Sequence, residues 1–312
     1  MAELWRSLAE VPVDLGRTVV AIGNFDGVHR GHQHVLHTAH TAAEAASEPL
    51  VVVTFDPHPM AVLRPEHAPG TLTSIPERAE LLAGHGADFV LALPFDRAMA
   101  AWTPDEFAQR VLVDSLHAAA VVVGANFRYG TRASGDVECL TTFGVDHGFD
   151  VLPVALDGGP QVWSSTYVRT CLAAGDVEGA AEALGRPFSI RGLVVRGDQR
   201  GRELGFPTAN VPTDSLALVP PDGVYAGWLI RRDTAERFPA AISVGTNPTF
   251  DGVIGRRVES YVLDRTDLDL YGVEVEVCFV AHLRAMVAFS GIEALVEQMN
   301  ADVEQARVLL VG

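Results

Sequence analysis

Gly23–His32 reads GNFDGVHRGH and stands directly after the short apolar run Thr18–Ile22. Such a run, rich in β-branched residues and ended by glycine, predicts a buried strand. The glycines that follow would let the backbone approach a phosphate chain closely, and a helix beginning near Gly31 would point its unpaired N–H groups at the same place. His29 and His32 lie three residues apart, so both imidazoles face one side of the first helical turn. The stretch predicts an anion site at the end of a strand, although a glycine turn with two surface histidines would share the pattern.

Strand-like and helix-like segments alternate in the first part of the chain. Thr103 and Pro104, followed by two acids, predict a helix start, and Ser74 begins a similar but weaker signal. This rhythm predicts an α/β doubly wound, Rossmann-like sheet with ligands at the carboxyl ends of its strands. The strand-like runs are short, apolar and bounded by Gly, Pro or Asp: Thr18–Ile22, Leu50–Phe55, Asp88–Leu93 and Ala119–Val123.

The rhythm changes at about Arg186, and helical patterning becomes scarce. Apolar residues return at helical spacing over Gly291–Leu310, which predicts a terminal helix. We therefore expect an α/β domain over residues 1–186 and a small antiparallel β-barrel with a terminal helix over residues 187–312. The predicted barrel strands are Phe188–Arg196, Val224–Arg231, Ala240–Val244, Val258–Leu263 and Val273–Val280.

Composition limits the location and the partners of the protein. The net charge of −17 argues against nucleic acid or an anionic membrane surface as the main partner. No apolar run approaches the ~20 residues that cross a bilayer, and the N-terminal residues lack the apolar core of a signal peptide. Cys139, Cys171 and Cys278 are far apart and fit no zinc spacing, which suggests reduced thiols. We expect a cytoplasmic protein that binds neither nucleic acid nor membrane; the sequence carries no signal about self-association.

The chain contains no lysine, so all 23 of its basic residues are arginines. This removes a Walker A loop, a Schiff-base mechanism and any lysine clamp on phosphate. A phosphate site in this chain must use arginine, histidine, backbone N–H groups and metal ions.

Gly23–His32 resembles the HxGH signature of the nucleotidyltransferase superfamily, in the version found in prokaryotic FAD synthetases. Three later segments resemble the same family in the same order. Thr54–Pro59 (TFDPHP) follows the second predicted strand, Gly124–Gly130 (GANFRYG) follows the fourth, and Ser164–Arg169 (SSTYVR) opens a helix. All four segments stand where strands or loops meet helix starts, which is the ligand edge of such a sheet.

The resemblance implies that the FMN phosphate attacks the α-phosphate of ATP, a transfer that needs positioning and charge stabilisation. We expect His29 and His32 to be catalytic residues that contact the triphosphate of ATP. Arg169 is expected to bind the leaving phosphates, in place of a lysine. His58 and Asn126 are the expected FMN-binding residues, although His58 could instead stiffen a proline turn. The other residues expected to bind ATP or its phosphates are Gly23, Phe25, Asp26, Gly31, Ser164, Ser165 and Thr166. Either serine could instead cap a helix.

Gly201–Asn210 reads GRELGFPTAN and resembles the GRxxGxPTAN segment of riboflavin kinases. Gly201 and Gly205 would give a flexible flap over the phosphates of ATP. Thr208 and Asn210, on alternate positions of an extended stretch, would present two neutral oxygens to Mg²⁺. As an isolated pattern, PTAN could be a plain turn.

Other segments of the second half also resemble riboflavin kinases, namely Gly223–Ala226, Gly245–Phe250 and Val258–Asp264. In that family the glutamate matching Glu259 is the catalytic base, which takes the proton of the ribityl 5′-hydroxyl. Without the family, Glu259 would be interpreted as a solvent-facing strand carboxylate.

The resemblance covers about residues 15–305 and implies a bifunctional riboflavin kinase/FMN adenylyltransferase. Its substrates and products would be riboflavin, FMN, FAD and ATP, with Mg²⁺ as cofactor. Two features depart from the family: Ala285–Phe289 lacks the acid and the basic residue of many relatives, and Trp163 stands where an aliphatic residue is commoner. The alternatives are an enzyme with one silent module, a nucleotidyltransferase for another phosphate ester, and a non-catalytic flavin sensor or carrier. A nicotinamide dehydrogenase is disfavoured because no GxGxxG follows the first strand.

Overall fold

Residues 2–155, 163–197, 205–213, 217–248 and 254–312 are described in the computed structural model of the protein. They form two units that divide between Ser165 and Thr166. Each unit contains a sheet of six described strands. None of the described helices is long and apolar enough to cross a membrane.

The first unit is a parallel sheet whose strands alternate with helices. Its strands are β1 (Glu3–Trp5), β2 (Thr18–Ile22), β3 (Leu50–Asp56), β4 (Phe89–Pro94), β5 (Ala118–Gly124) and β6 (Asp150–Val154). Its helices are α1 (Arg30–Ala46), α2 (Pro59–Leu63), α3 (Ile75–Gly84), α4 (Pro104–Phe107, continued as a π-helix over Ala108–Ser115) and α5 (Val137–His147). The strand order across the sheet is β1-β4-β3-β2-β5-β6, and every neighbouring pair is parallel.

Strand β2 lies inside this sheet with all five of its residues buried. Val20 and Ile22 pack into the core on one face, and Val19 and Ala21 pack into the core on the other, because successive side chains of a strand point to opposite faces. The chain continues from β2 to β3 on one side, whereas β5 lies on the other side. The carboxyl ends of β2 and β5 therefore flank the switch point at which doubly wound sheets bind ligands.

The predicted elements of the first unit are confirmed. Each of the four predicted strands agrees with the structure to within one residue at either end. Thr103 and Glu106 form a reciprocal capping box at the start of α4, and Ser74 caps α3. The edge strands β1 and β6 were not predicted, because β1 is three residues long and β6 is largely solvent-accessible and contains Pro153.

The second unit is an antiparallel sheet with helices at both ends of its sequence. Its strands are β7 (Phe188–Leu193), β8 (Thr208–Pro212), β9 (Gly223–Arg231), β10 (Arg237–Pro248), β11 (Ile254–Val262) and β12 (Glu274–Ala285). Its helices are α6 (Ser165–Ala173), whose first residue closes the first unit, α7 (Val177–Leu184) and α8 (Ile292–Val311). The strand order is β7-β12-β9-β10-β11-β8, with antiparallel neighbours throughout.

This second sheet curls, so that its edge strands approach each other. Next to β7, the Val195 N–H donates a hydrogen bond of 2.9 Å to the Asn210 carbonyl oxygen on β8. Helix α8 packs on the curled sheet through a small buried cluster that includes Ala226 and Ala306. The predicted antiparallel half and its terminal helix are confirmed. The domain boundary at Arg186 stays a prediction, since the two units divide earlier, at the start of α6.

Candidate active sites

The loop after β2 has a fixed and strained backbone. Phe25, Gly27 and Val28 have positive φ angles of 46°, 83° and 44°. Left-handed backbone is costly for residues other than glycine and persists only where the surroundings hold it. Phe25 and Val28 are buried, at 1% and 0% exposure, so their side chains help to hold this shape. Glycine at position 23 fits here because a Cβ would lie 3.1 Å from the Phe25 ring.

The two predicted catalytic histidines lie together at the end of this loop. His29 caps α1, and its Nδ1 accepts a hydrogen bond of 3.3 Å from the His32 N–H. An acceptor at Nδ1 leaves the proton of the neutral ring on Nε2, which is then a donor. The two imidazole rings stack with centroids 3.6 Å apart, and the Phe25 ring lies edge-on to His32 at 5.1 Å. Both imidazoles therefore stand at a helix N-terminus, where the helix dipole favours negative charge.

The SSTYVR segment begins beside the same loop. The Ser165 hydroxyl donates a hydrogen bond of 2.8 Å to the Asp26 carbonyl oxygen. A Cβ at Gly31 would lie 3.1 Å from the Trp163 carbonyl oxygen, so glycine lets the two segments pack closely. The other predicted residues of the segment lie beside or within the start of α6: Ser164, Thr166 and Arg169.

The Asp26 carboxylate is surrounded by protein donors. It is 2% exposed and accepts hydrogen bonds from the Leu72 N–H, from the N–H and hydroxyl of Thr73, and from Arg78. A carboxylate would repel a phosphate rather than bind it. The geometry of Asp26 therefore favours support of the loop, and its prediction as a phosphate-binding residue rests on the resemblance.

His58 and Asn126 follow the carboxyl ends of β3 and β5, the two strands that flank β2. His58 caps α2, since its Nδ1 accepts a hydrogen bond of 3.2 Å from the Met60 N–H. Asn126 is exposed. The nearby Tyr129 ring is instead buried and stacks on Phe127 at 5.4 Å, as part of the core.

Three predicted kinase residues meet on two paired strands. The register of β8 and β11 sets Asn210 opposite Glu259 and Thr208 opposite Tyr261, and directly opposed side chains share a face. Thr208 Oγ1 lies 3.5 Å from Glu259 Oε2. Asn210 Nδ2 donates to the Thr208 carbonyl oxygen at 3.2 Å and to Thr208 Oγ1 at 3.4 Å. A carboxylate, a hydroxyl and an amide are thereby gathered in one place.

The oxygen atoms of this group fit a magnesium ion. Asn210 Oδ1 is buried and has no hydrogen-bond partner among the described residues. An orphaned buried acceptor is costly unless a ligand satisfies it, and Mg²⁺ takes hard oxygen ligands. The described ranges contain no cluster of three or more His, Cys, Asp or Glu that could hold a metal. A Cβ at Gly197 would lie 2.6 Å from Asn210 Oδ1, so a larger residue there would displace the Asn210 amide.

Two cavities of the second unit share Thr208. One, of about 400 Å³, is lined largely by polar residues and includes Asn210, Arg265 and Asp269. The other, of about 260 Å³, has Glu259 in its wall. Its lining is mostly apolar and includes Phe206, Val224, Met286, Phe289, Leu295 and Met299. A polar cavity suits a nucleotide and an apolar one suits a ring system, and the predicted base and metal ligands stand where the two cavities meet.

The segment that departs from the family forms part of the apolar wall. Met286, Val287 and Phe289 line the smaller cavity, so this segment offers apolar contact in place of charge. Just before it, Arg284 forms a two-pronged ion pair with Asp302 of α8, with N–O distances of 2.8 and 2.6 Å. Sequence reasoning missed this pair, because the two partners stand 18 residues apart and belong to no quoted motif.

Of the two glycines predicted to form a flap, the structure describes only Gly205. Gly201 lies outside the described residues. Gly205 has a positive φ of 90°, a conformation that favours glycine.

Family models match both parts of the chain. Residues 12–166 match the FAD synthetase model, and residues 184–310 match the riboflavin kinase model. These ranges contain the two sets of residues gathered above, except Arg169, which lies between them.

Similar proteins cover almost the whole chain. The bifunctional riboflavin kinase/FMN adenylyltransferase of Escherichia coli K12 is 37% identical over 291 residues, which cover 93% of this chain and 91% of that protein. A protein of the same description from Pseudomonas fluorescens is 39% identical over 311 residues, with coverages of 98% and 97%. A solved structure described as a macrolide-efflux protein from Streptococcus pneumoniae is 30% identical, covers 98% of both chains and has a TM-score of 0.86. Because the motifs, the fold of each unit and these similarities agree, the chain belongs to the bifunctional riboflavin kinase/FMN adenylyltransferase family.

Proposed function

We propose that this chain makes FAD from riboflavin in two ATP-dependent steps at two separate sites. The second unit phosphorylates riboflavin to FMN, and the first adenylylates FMN. The observation that carries this proposal is the meeting of Glu259, Thr208 and Asn210 where an apolar and a polar cavity join. A sensor or a docking domain has no need of a base beside a metal site.

In the kinase reaction, Glu259 takes the proton of the ribityl 5′-hydroxyl as that oxygen attacks the γ-phosphorus of ATP. The bond from the γ-phosphorus to its bridging oxygen breaks, and ADP leaves. The apolar cavity binds the flavin ring and excludes water from the reacting groups, which strengthens the electrostatic interactions among them. The predicted flap residues Gly201 and Gly205 cover the phosphates.

Thr208 and Asn210 would hold the Mg²⁺ ion. When bound, the ion neutralises charge on the phosphates of ATP. The two oxygen atoms belong to the side chains of Thr208 and Asn210, which both stand on β8. The pairing of β8 with β11 keeps these side chains beside Glu259.

In the adenylyltransferase reaction, an oxygen of the FMN phosphate attacks the α-phosphorus of ATP. The bond between the α-phosphorus and the bridging oxygen to the β-phosphorus breaks, and pyrophosphate leaves. His29 and His32 donate hydrogen bonds to the triphosphate as negative charge builds on it. Arg169, Ser164, Ser165 and Thr166 take the leaving phosphates, His58 and Asn126 take the FMN phosphate, and Asp26 supports the loop.

The partners of the protein in this proposal are small molecules and not nucleic acid or membranes. All three cysteines are free, which supports a reducing, cytoplasmic location.

The test is to incubate the purified protein with riboflavin, ATP and Mg²⁺ and to separate the flavins by chromatography over time. We expect FMN to appear first and then to give way to FAD. FMN alone, or FAD only from supplied FMN, would show that one site is silent. Bound flavin without turnover would identify a sensor or carrier instead.

A further inference from the structure

A buried guanidinium grips the loop that carries the two histidines. Arg78 lies on α3, its side chain is 4% exposed, and its Nη2 donates to Asp26 Oδ1 at 2.9 Å. Its Nη1 donates to the Asn24 carbonyl oxygen at 2.9 Å and to the Thr54 hydroxyl oxygen at 3.1 Å. Arg78 thus holds the loop on both sides of Phe25, a residue with left-handed backbone.

Two threonines complete this network. Thr54 Oγ1 donates to the Asn24 carbonyl oxygen at 2.8 Å. Thr73 Oγ1 accepts from the Gly27 N–H and bonds to Asp26 Oδ1, each at 3.1 Å. The Asn24 carbonyl, the Asp26 carboxylate and the Gly27 N–H of the loop are therefore tied to β3, to α3 and to the residues just before α3. His29 follows two residues later.

Arg78 and Asp26 depend on each other because both are buried. Burial lowers the pKa of the Arg78 guanidinium, and the Asp26 carboxylate beside it acts in the opposite direction. Removing one partner leaves the other as a buried charge without its counter-ion. The shape of the Arg78 side chain also matters for holding the loop, since a planar guanidinium can donate to several fixed acceptors at once.

We propose that Arg78 is a positioning residue of the adenylyltransferase site, which fixes the loop so that His29 and His32 meet the triphosphate. This inference rests on the proposed function of those histidines. Arg78 is buried within the protein and acts through the loop rather than on substrate. A displacement of about 1 Å in catalytic groups costs roughly 10²-fold in rate. Loss of Arg78 should therefore lower kcat for FAD formation while KM for FMN changes little.

The test compares Arg78→Met, Arg78→Lys and the control Arg97→Met in the full chain. Arg97 is an exposed arginine of the same unit. We expect kcat for FAD formation from supplied FMN to fall roughly 10²-fold in Arg78→Met. Arg78→Lys keeps a charged donor beside Asp26 and should regain part of the loss, and Arg97→Met should match the unchanged protein. Riboflavin kinase activity, measured on the same samples, should stay constant because its residues lie in the other unit.

A folded Arg78→Met protein with unchanged kcat, or with a loss that appears only in KM, would overturn the inference. If Arg78→Met does not fold, the double variant Asp26→Asn with Arg78→Met leaves neither buried charge unpaired and carries the same test. The double variant His29→Ala with His32→Ala separates the two levels. If it retains FAD formation, the proposed function of the histidines is wrong; if it loses FAD formation while Arg78→Met does not, only the role of Arg78 is wrong.

Discussion

A single strand pairing places Glu259 beside the junction of two different cavities. Its neighbour Thr208 belongs to both the polar and the apolar cavity, and Glu259 lines the apolar one. In the proposed reaction the carboxylate serves the apolar cavity, and Thr208, whose Oγ1 lies 3.5 Å from Glu259 Oε2, borders both cavities. This position, and not the residue type, distinguishes Glu259 from other strand carboxylates.

We predict that Glu259→Gln lowers the rate of FMN formation from riboflavin by roughly 10²–10⁴-fold, the usual contribution of a general base. Conversion of supplied FMN to FAD should be unchanged, because Glu259 takes no part in that reaction. Chromatographic flavin assays with each substrate measure both rates. Glu274→Gln is the matched control, since Glu274 is an exposed carboxylate of β12. Equal losses of both activities in a folded Glu259→Gln protein would contradict the two-site assignment.

Asn210 carries a prediction about metal rather than about proton transfer. Asn210→Ala removes the buried Oδ1 atom that has no partner among the described residues. We expect the Mg²⁺ concentration for half-maximal kinase activity to rise roughly tenfold or more, as for other losses of metal-site support. A magnesium titration of FMN formation measures this, with the exposed Asn300→Ala on α8 as control. An unchanged magnesium requirement with reduced kcat would mean that Asn210 does not hold the metal.

At the scale of elements, α8 forms part of the wall of the apolar cavity, and one ion pair joins this helix to β12. Arg284 donates to Asp302 through Nε and Nη2, and Gln298 donates to the same carboxylate at 2.9 Å. Leu295 and Met299 of α8 line the cavity. The ion pair therefore holds the α8 wall of this cavity against β12.

We predict that Asp302→Asn raises KM for riboflavin and lowers the free energy of unfolding by about 2 kcal/mol. This is less than for a fully buried pair, because the Arg284 side chain is 21% exposed. Denaturant unfolding and kinase kinetics measure the two effects. Glu304→Gln on the same helix is the control, since its partner Arg307 and Glu304 itself are exposed and such pairs contribute little. A loss of stability with an unchanged KM for riboflavin would show that the ion pair supports the fold but not riboflavin binding.

Elements were predictable where the local signal agreed with burial. Strand β2 is buried on both faces and has the predicted bounds, and the capping box at Thr103 fixed the start of α4. The expected phosphate-side residues could be named from the sequence because they sit in contiguous motifs, and their roles stay predictions. The Arg78–Asp26 and Arg284–Asp302 pairs join residues 52 and 18 positions apart. Asp26 stands in the GNFDGVHRGH motif, but Arg78, Arg284 and Asp302 belong to no motif, so no local pattern predicts either pairing.

At the scale of the whole molecule, the chain divides into two units near the start of α6, with His29 and His32 in the first and Thr208, Asn210 and Glu259 in the second. The family models divide in the same way, with one ending at residue 166 and the other beginning at 184. In the proposed function each set has its own means of holding phosphate: histidines and a helix N-terminus in the first unit, and neutral oxygens with an implied metal in the second. The absence of lysine is thus met by two different solutions.

We predict that two variants of the full chain, each lacking one of the two activities, together make FAD from riboflavin in solution. Glu259→Gln should make FAD only from supplied FMN, and His29→Ala with His32→Ala should make FMN but not FAD. A mixture of the two proteins given riboflavin, ATP and Mg²⁺ should accumulate FMN and then FAD, because FMN released by one chain can bind the other. The control variant replaces His34 and His37, which are exposed histidines of α1. Without a second protein, it should make FAD from riboflavin at the normal rate. If each variant keeps its single activity but the mixture makes no FAD, FMN must pass between the sites of one chain without release.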